Sequence, residues 1–316
     1  MPSILITGAD GFVGSYLLPA LVDSFDGNVT ITATYLLNEP KHIQGITWHQ
    51  LDISKREDVF SLVANVKPDR VIHLAAISHV PTADSAVELT WQVNVLGSVY
   101  LFDAIKKHVP LCSILYISSS EVYGKSFQEH NKITETACLQ PMNVYATSKA
   151  AVDMLCANYV AQGLKILRLR PFNHIGPGQA ENFVISAFSS QIAAIEKHEQ
   201  QPIIKVGNLS VVRDFLDVRD VVSAYITILK KIDDIESGEV INIASSNGYK
   251  IGDLLEILLS FSSINISVEV DEARLRPVEI ESAIGSYEKI NRIMGWLPKY
   301  KIDETLKAVI EEWRCK

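Results

Sequence analysis

The stretch Thr-Gly-Ala-Asp-Gly-Phe-Val-Gly at residues 7–14 follows a short apolar segment, Ile-Leu-Ile at residues 4–6, and precedes a helical pattern. Its glycines have the spacing Gly-x-x-Gly-x-x-Gly. In such a turn one glycine allows the tight bend, one lets the backbone approach a pyrophosphate, and one lets the helix pack closely on the strand. The free N–H groups at the start of the helix then face the phosphates. Between a strand and a helix this spacing predicts a dinucleotide site, contacted by Gly8, Gly11, Phe12, Val13 and Gly14.

The rest of the first half alternates between apolar strand patterns and helical patterns. Strand patterns lie at residues 29–34, 71–74, 113–117 and 165–169, and helical patterns at residues 95–107 and 144–159. This alternation predicts parallel crossovers and a sheet that is covered on both faces. The second half is less regular, with helices predicted at 191–198 and 251–259 and strands at 203–206 and 239–244. It predicts a smaller mixed lobe, and we expect the chain to cross between the lobes more than once.

The end of the second strand bears on the choice of dinucleotide. A NAD site usually places an Asp or Glu there to hold the ribose hydroxyl. This strand ends Ala-Thr-Tyr-Leu-Leu-Asn at residues 33–38, which predicts NADP(H), because no carboxylate would repel a 2′-phosphate. No arginine stands there either, so NAD(H) is the alternative, and Lys41 is a candidate phosphate partner. Asp52 and Ile53 follow the third strand as further predicted cofactor contacts, and Asp52 fits either an adenine contact or a helix N-cap.

Tyr145 and Lys149 are spaced i and i+4 on a predicted helix and therefore share one face. A phenol with a pKa of about 10 is a poor acid–base group at neutral pH. A nearby ammonium lowers that pKa, so the phenol can exchange a proton with a carbonyl or alcohol oxygen. The same lysine can reach the nicotinamide ribose. Ser-Ser-Ser-Glu at residues 118–121 ends a core strand, where a serine hydroxyl can hydrogen-bond the reacting oxygen.

Composition and charge exclude several classes of protein. The chain has 316 residues, of which 47% are hydrophobic and 21% charged, so it is not mainly disordered. Its net charge of −8 and the lack of a basic run argue against nucleic acid as a partner. Four scattered cysteines have no metal-ligand spacing, so neither a metal site nor a disulfide framework is expected. The absence of a basic leader and of a membrane-length apolar run predicts a cytoplasmic protein with no membrane partner.

Together the glycine turn, Ala75-Ala76, the serine strand end and the Tyr145/Lys149 pair resemble the extended short-chain dehydrogenase/reductases that act on nucleotide sugars. The resemblance covers essentially the whole chain. It implies a Rossmann-type, doubly wound parallel α/β sheet with a smaller mixed α/β substrate lobe. The NADP-binding domain is expected at residues 1–173 and 212–243, and the nucleotide-sugar-binding lobe at 174–211 and 244–316. A homodimer is also implied, paired through the helices at 95–107 and 144–159.

The resemblance assigns roles to further residues. The family's catalytic serine stands four residues before the tyrosine of a Tyr-Gly pair, which matches Ser119 counted back from Tyr123. Tyr145 and Lys149 complete the implied catalytic set and also contact the cofactor. Asn94 matches the family's structural asparagine, a role that a helix cap does not exclude. The remaining implied cofactor contacts are Leu74, Ala75 and Ala76.

The segment at residues 170–179, Arg-Pro-Phe-Asn-His-Ile-Gly-Pro-Gly-Gln, resembles enzymes that reduce GDP-4-keto-6-deoxy-mannose. Gly-Asn-Leu at 207–209, followed by Arg-Asp at 213–214, is shared with GDP-mannose dehydratases and favours GDP over dTDP or UDP. By this resemblance Asn173, Arg213 and Arg276 contact the substrate diphosphate, with Arg274 as the alternative to Arg276. Lys205 is a candidate guanine neighbour. The implied substrate contacts are Ser120, Glu121, Asn173, Lys205, Arg213 and Arg276.

The implied reaction is NADPH-dependent reduction of the C4 ketone of GDP-4-keto-6-deoxy-D-mannose to GDP-D-rhamnose. One alternative is a GDP-mannose 4,6-dehydratase, because Glu121 stands where such enzymes carry the glutamate that abstracts a C5 proton. Another is a reductase that gives the talo epimer or acts on a dTDP-sugar. A third is a catalytically silent NADP-binding protein, against which the intact Ser119, Tyr145 and Lys149 argue.

Overall fold

A computed structural model of the chain describes residues 1–275 and 280–316. These residues form two compact units, each assembled from three segments of the chain. The first unit comprises Met1–Gly124, Leu139–Pro171 and Val222–Asn242. The second comprises Lys125–Cys138, Phe172–Val221 and Ile243–Lys316.

Strands and helices are numbered along the chain. The strands are β1 Ser3–Thr7, β2 Thr30–Tyr35, β3 Ile46–Gln50, β4 Arg70–His73, β5 Ser113–Ile117, β6 Lys165–Pro171, β7 Asn173–Ile175, β8 Ile203–Val206, β9 Val212–Asp217, β10 Val240–Ile243, β11 Gly248–Lys250, β12 Ser267–Val270 and β13 Ser282–Ala283. The α-helices are α1 Phe12–Ser24, α2 Arg56–Val66, α3 Val80–Ser85, α4 Val87–Thr90, α5 Gly97–His108, α6 Val144–Ala161, α7 Val184–Glu196, α8 Val218–Lys230, α9 Ile251–Ser260, α10 Glu288–Met294 and α11 Ile302–Cys315.

The first unit is built on a seven-stranded sheet with the strand order β10-β6-β5-β4-β1-β2-β3. Within the group of strands β1 to β6, all neighbouring strands pair in parallel. Helices follow β1, β3, β4 and β5, and these crossovers return the chain to the same end of the sheet. The order reverses at β1, which lies between β2 and β4, and the crevice of such a sheet opens at the carboxyl ends of those strands. The predicted Rossmann-type fold is therefore confirmed.

Apolar side chains explain why these segments form this sheet. In β1, Ile4, Leu5 and Ile6 are all 0% exposed, as expected for a strand that is covered on both faces. Leu5 belongs to a core cluster that also contains Phe102 of α5 and Val152 of α6. Burial of this cluster stabilises the sheet and holds both helices against it.

The second unit has a different architecture. Its strand β9 pairs with β11, β13 and β7, and β8 pairs with β12 in a separate two-stranded sheet. Helices α7, α9 and α11 share one apolar core, which contains Phe188, Leu254 and Leu306. The second unit thus has a core of its own.

Two predicted helices have wrong boundaries. The helix expected at 191–198 is α7, which begins at Val184 and ends at Glu196. Ile185, Phe188 and Ile192 of α7 are buried, which is a helical spacing, but three serines between residues 186 and 190 weaken the pattern. The helix expected at 95–107 is α5, and a π-helical stretch, Trp91–Leu96, precedes it. Its i→i+5 hydrogen bonds do not follow the period of 3.6 that the prediction used.

Candidate active site

The glycine turn after β1 contains two positions that exclude any side chain. Gly8 has φ +66°, and a Cβ built on it would lie 2.6 Å from Ala75 Cα. A Cβ on Gly14 would lie 2.1 Å from the carbonyl oxygen of Ala9. These two glycines therefore serve the tight turn and the close approach of α1 to the strands.

Gly11 is required for a different reason. A Cβ built on it would meet only the Gly8 carbonyl oxygen, at 3.4 Å, so the fold itself leaves room for a side chain. Gly11 is the N-cap of α1 and provides no side-chain cap to the free N–H groups of the first turn. Free N–H groups beside a position without a side chain suit a phosphate, so the residues present fit a dinucleotide. Phe12 and Val13, both partly buried, begin the helix at this point.

A carboxylate lies at the end of β2, where the sequence pattern predicts none. The Leu36 N–H, directly after β2, donates a hydrogen bond of 3.1 Å to Asp10 Oδ2. The sequence argument for NADP(H) considered only residues next in the chain, whereas the glycine turn supplies the acidic group from 26 residues away. The sequence argument therefore left out one acid, Asp10. Lys41 is exposed and forms no ion pair or hydrogen bond within residues 1–275 and 280–316.

Asp52 and Ile53 follow β3. Asp52 Oδ1 accepts hydrogen bonds from the Ser54 N–H at 3.0 Å and from the Ser54 hydroxyl at 2.6 Å. The N-cap of α2 is Lys55, so the interpretation of Asp52 as a helix cap is wrong and the adenine contact stays a prediction. Ile53 is 5% exposed and belongs to the core, so a contact with a ligand there would come from its backbone.

The segment after β4 lies beside the glycine turn. The Leu74 N–H donates to the Thr7 carbonyl at 3.1 Å, and the Ala75 N–H donates to the Thr7 hydroxyl at 3.4 Å. Leu74, Ala75 and Ala76 are all partly buried, which leaves part of each accessible to a ligand. The predicted cofactor residues after β1 and β4 therefore lie next to each other.

Asn94 connects this segment with α6, the helix that carries Tyr145 and Lys149. Its side chain bonds both backbone groups of Ile77, at 2.8 and 3.0 Å, and its Nδ2 donates to the Ser148 hydroxyl at 2.9 Å. Asn94 lies within the π-helical stretch and does not cap a helix. The structural role implied by the resemblance fits these contacts.

Tyr145 and Lys149 lie on α6 and are 9% and 5% exposed. Lys149 Nζ donates a hydrogen bond of 2.6 Å to the carbonyl of Ile117, the last residue of β5. Burial lowers the pKa of Lys149 to about 8, against the opposite effect of Cys156 and Asp153. The lysine is thus fixed at the carboxyl end of β5 with a poorly solvated charge.

Ser119 lies beside the phenol of Tyr145. Burial raises the pKa of Tyr145 to about 12, a hydrogen bond from Ser119 lowers it, and the charge of Glu121 raises it further. The sequence argument expected Lys149 to lower this pKa, but in the protein alone burial outweighs any such effect. The difference arises because the aligned helix face is buried against β5 rather than open to water. The phenol therefore keeps its proton at neutral pH.

Glu121 is held by a residue that sequence reasoning missed. Its Oε2 accepts a hydrogen bond of 3.3 Å from Asn143 Nδ2. The Oδ1 atom of Asn143 caps α6 by accepting from the Ala146 N–H at 2.7 Å. An Asn two residues before Tyr145 is a recognisable N-cap signal, so the sequence could have shown it. Ser120, 7% exposed, begins the 3₁₀ segment that carries Glu121.

The predicted substrate residues of the second unit are only partly brought together. Asn173 on β7 and Arg213 on β9 lie on paired strands, and Asn173 Nδ2 donates to the Asp214 carbonyl at 3.4 Å. Lys205 is exposed on β8, in the separate two-stranded sheet. Arg276 lies outside the described residues. Arg274, its alternative, forms a 3.4 Å ion pair with Asp271.

Asp214 is a buried acid in this unit and was not predicted as a functional residue. Its carboxylate accepts from the Ser245 N–H and hydroxyl, at 2.8 and 2.6 Å, and from the N–H groups of Ser246 and Gly285, at 2.9 and 3.2 Å. Burial raises the pKa of Asp214 to about 6, and these hydrogen bonds oppose the rise. Asp214 thus connects β9 to the loops that contain Ser245 and Gly285, which gives the Asp after Arg213 a structural role.

Within residues 1–275 and 280–316, no group of three or more His, Cys, Asp and Glu side chains is arranged to hold a metal ion. In the same residues, no helix combines the length and the apolar character needed to cross a membrane.

A parallel sheet with a glycine turn after β1 and a Ser-Tyr-Lys group at the end of β5 defines an extended short-chain dehydrogenase/reductase. The chain belongs to the GDP-mannose 4,6 dehydratase family, whose model matches residues 5–309. This confirms the resemblance drawn from the sequence, and it shows that the chain is a nucleotide-sugar enzyme.

Individual relatives cover almost the whole chain. A GDP-6-deoxy-D-mannose reductase from Pseudomonas aeruginosa is 35% identical over 314 residues, which are 99% of this chain and 97% of that protein. A GDP-6-deoxy-D-talose 4-dehydrogenase from Aggregatibacter actinomycetemcomitans is 28% identical and covers 98% of this chain and 96% of that one. The structure of RMD from Pseudomonas aeruginosa complexed with NADPH superposes with a TM-score of 0.85 at 32% identity, covering 100% of this chain and 99% of that one.

Proposed function

We propose that this protein reduces the C4 ketone of GDP-4-keto-6-deoxy-D-mannose to GDP-D-rhamnose, with NADP(H) or NAD(H) as the cofactor. The full-length similarity to a GDP-6-deoxy-D-mannose reductase supports the substrate. The site supplies an acid for this reaction, since burial raises the pKa of the Tyr145 phenol to about 12 and the phenol is protonated at neutral pH. A protonated phenol is an acid that can give its proton to the alkoxide of a reduced ketone.

Each catalytic side chain has a separate role in this proposal. Tyr145 donates the proton to the oxygen on C4, and Ser119, which lies beside the phenol, holds the same oxygen. Lys149 binds the ribose next to the nicotinamide and supplies positive charge near the phenol. The reduced cofactor, when bound, supplies the hydride. The chain's own contribution is mainly to fix these groups in one geometry.

The proposed binding residues follow the resemblance drawn from the sequence. The first unit binds the dinucleotide through Gly8, Gly11, Phe12, Val13, Gly14, Asp52, Ile53, Leu74, Ala75, Ala76, Tyr145 and Lys149. The sugar nucleotide is bound by Ser120, Glu121, Asn173, Lys205, Arg213 and Arg276. Asn173 and Arg213 suit a diphosphate because both carry N–H donors and lie on the paired strands β7 and β9.

A dehydratase is the second candidate function. It is supported by the family and by Glu121, whose charge acts directly on the Tyr145 phenol. A dehydratase first oxidises C4, which requires Tyr145 to act as a base. A dehydratase returns its cofactor to the starting state in each cycle, so net consumption of the reduced cofactor separates the two functions. The talo product remains the alternative stereochemistry, since a talose 4-dehydrogenase is also similar over the full chain.

The assembly in this proposal is a cytoplasmic homodimer. The surface of the helical segment 91–107 and of α6 carries exposed apolar side chains, with Trp91 38%, Leu96 43% and Met154 66% exposed. Apolar side chains clustered on two helices are typical of a face that pairs with another copy. Sedimentation equilibrium should show a dimer, and Leu96→Glu should shift it to the monomer. A monomeric wild-type protein would contradict this assembly.

The experiment that tests the function is a coupled assay. A separate dehydratase generates GDP-4-keto-6-deoxy-mannose, and this protein is added with NADPH or NADH. We expect one reduced cofactor to be oxidised per ketone consumed, and NMR to identify a rhamno sugar. A talo sugar would keep the chemistry and change the product. Dehydration of GDP-mannose by this protein alone, without net consumption of cofactor, would replace the reductase with the dehydratase.

A further inference from the structure

The carboxyl end of β2 carries a negative charge that comes from the glycine turn. Asp10 Oδ2 accepts a hydrogen bond of 3.1 Å from the N–H of Leu36, the first residue after β2. The next side chains along the chain are aliphatic, with Leu36 49% and Leu37 76% exposed. The strand end thus presents a carboxylate and no cation in its first positions.

In Rossmann-type folds the end of the second strand lies beside the adenosine ribose of a bound dinucleotide. A carboxylate at the end of the second strand accepts a hydrogen bond from a ribose 2′-hydroxyl, whereas a nearby arginine accommodates a 2′-phosphate. Within residues 1–275 and 280–316, the Asp10 carboxylate accepts a hydrogen bond from the Leu36 N–H at Oδ2 and accepts none at Oδ1. One carboxylate oxygen is therefore available for a hydroxyl donor.

The loop after β2 contains few basic side chains that could neutralise the charge of a phosphate. Its basic side chains are Lys41 and His42, which follow Leu36 by five and six residues. Neither forms an ion pair with Asp10 in the part of the chain that the structure describes. A phosphate monoester carries a charge of about −1.5 to −2 at pH 7, so placing one next to Asp10 is unfavourable.

We propose that Asp10 is a specificity-determining residue that favours the 2′-hydroxyl, so that this protein binds NAD(H) more tightly than NADP(H). The inference rests on the proposed function, because it concerns the same dinucleotide site. The dinucleotide that it favours differs from the NADPH bound in the RMD structure. The hydrogen bond to Leu36 keeps the carboxylate at the strand end, and its charge then selects between the two dinucleotides.

Direct binding tests the inference without any turnover. Calorimetric titrations of the full chain with NADH and with NADPH compare two ligands that differ only in the 2′-phosphate. We expect NADH to bind at least tenfold more tightly. Asp10→Asn keeps an oxygen for the Leu36 N–H and removes the charge, so it should bring the two dissociation constants within threefold of each other. Glu39→Gln is the matched control, since it removes a charge from an exposed position in the same loop and should leave the ratio unchanged.

The outcomes separate this inference from the function on which it rests. Wild-type protein that binds NADPH as tightly as NADH, or more tightly, overturns the inference and leaves the reductase intact. An unchanged ratio in Asp10→Asn, or an equal change in Glu39→Gln, overturns the role of Asp10. Failure of both dinucleotides to bind the folded wild-type protein overturns the proposed function itself.

Discussion

Asp153 of α6 and Arg170 of β6 form a two-bond ion pair in the interior of the first unit. Arg170 Nε donates to Asp153 Oδ2 at 2.9 Å and Nη2 donates to Oδ1 at 2.8 Å, with side chains that are 4% and 0% exposed. The Ser118 hydroxyl also donates to Asp153 Oδ2, at 2.7 Å. Asp153 is one turn after Lys149, and Ser118 precedes Ser119. The pair therefore joins the helix and the strand end that carry the proposed catalytic residues.

Removing one partner of this pair should be costly. Asp153→Ala leaves the Arg170 guanidinium buried without its carboxylate, and we expect a loss of about 3–5 kcal/mol in the free energy of unfolding. Asp153→Leu combined with Arg170→Met removes both charges and should lose less than Asp153→Ala. Urea denaturation measures all three proteins. The control is Asp233→Asn, which breaks the exposed Arg70–Asp233 pair and should cost at most about 1 kcal/mol. Equal losses in Asp153→Ala and Asp233→Asn would contradict this account.

Two glycines of the turn should respond differently to substitution by alanine. Gly14→Ala places a Cβ 2.1 Å from a backbone oxygen, so it should lower the melting temperature by several degrees. Gly11→Ala meets only one atom, at 3.4 Å, so the protein should fold with nearly unchanged stability. Because that Cβ would stand where the phosphates approach, Gly11→Ala should weaken dinucleotide binding at least tenfold. Calorimetry gives both quantities, and tight binding by Gly11→Ala would show that the turn does not hold the pyrophosphate.

Cofactor affinity should depend on pH through Lys149. Its pKa is lowered to about 8, so the side chain is charged below that pH and loses its proton as pH rises through it. If the charged lysine binds the ribose, affinity for the reduced cofactor should be full at pH 7 and fall above about 8. A lysine at its ordinary pKa would keep its charge until pH of about 10. Lys149→Met should bind weakly and without this dependence. Constant wild-type affinity up to pH 9.5 would count against the assigned role.

In the second unit, the hydrogen bonds of the buried Asp214 carboxylate should contribute to the free energy of unfolding. Asp214→Asn puts an amide group against N–H donors that now bond a carboxylate, leaving at least one buried donor unsatisfied. We expect a loss of at least about 2 kcal/mol in the free energy of unfolding, measured by urea denaturation. Asp271→Asn, at a partly exposed acid in the same unit, is the control and should cost at most about 1 kcal/mol. Similar stability of the two variants would mean that the Asp214 hydrogen bonds contribute little.

Local sequence patterns account for the parts of the fold that depend on neighbouring residues. The strands at 113–117 and 203–206 have the predicted boundaries, because short apolar segments bounded by polar residues leave little ambiguity. The alignment of Tyr145 with Lys149 follows from the helical period alone.

Long-range contacts could not be predicted in this way. Asp10 reaches the end of β2 across 26 residues, and that contact depends on how the turn folds back onto the sheet. The pKa of Tyr145 depends on burial against β5, which spacing does not reveal. The sequence therefore predicted that Tyr145 and Lys149 share one helix face, but it did not predict the protonation state of the phenol.

The most direct test of the account compares two variants in the ketone-reduction assay. Tyr145→Phe removes the proposed acid and should lower kcat at least 100-fold while leaving cofactor binding unchanged, since general acid catalysis contributes about 10²–10⁴-fold. Glu121→Gln removes the carboxylate that a dehydratase needs and should keep reduction within tenfold of the wild type. Reduction that survives Tyr145→Phe, or is abolished by Glu121→Gln, would contradict a reductase in which Tyr145 delivers the proton.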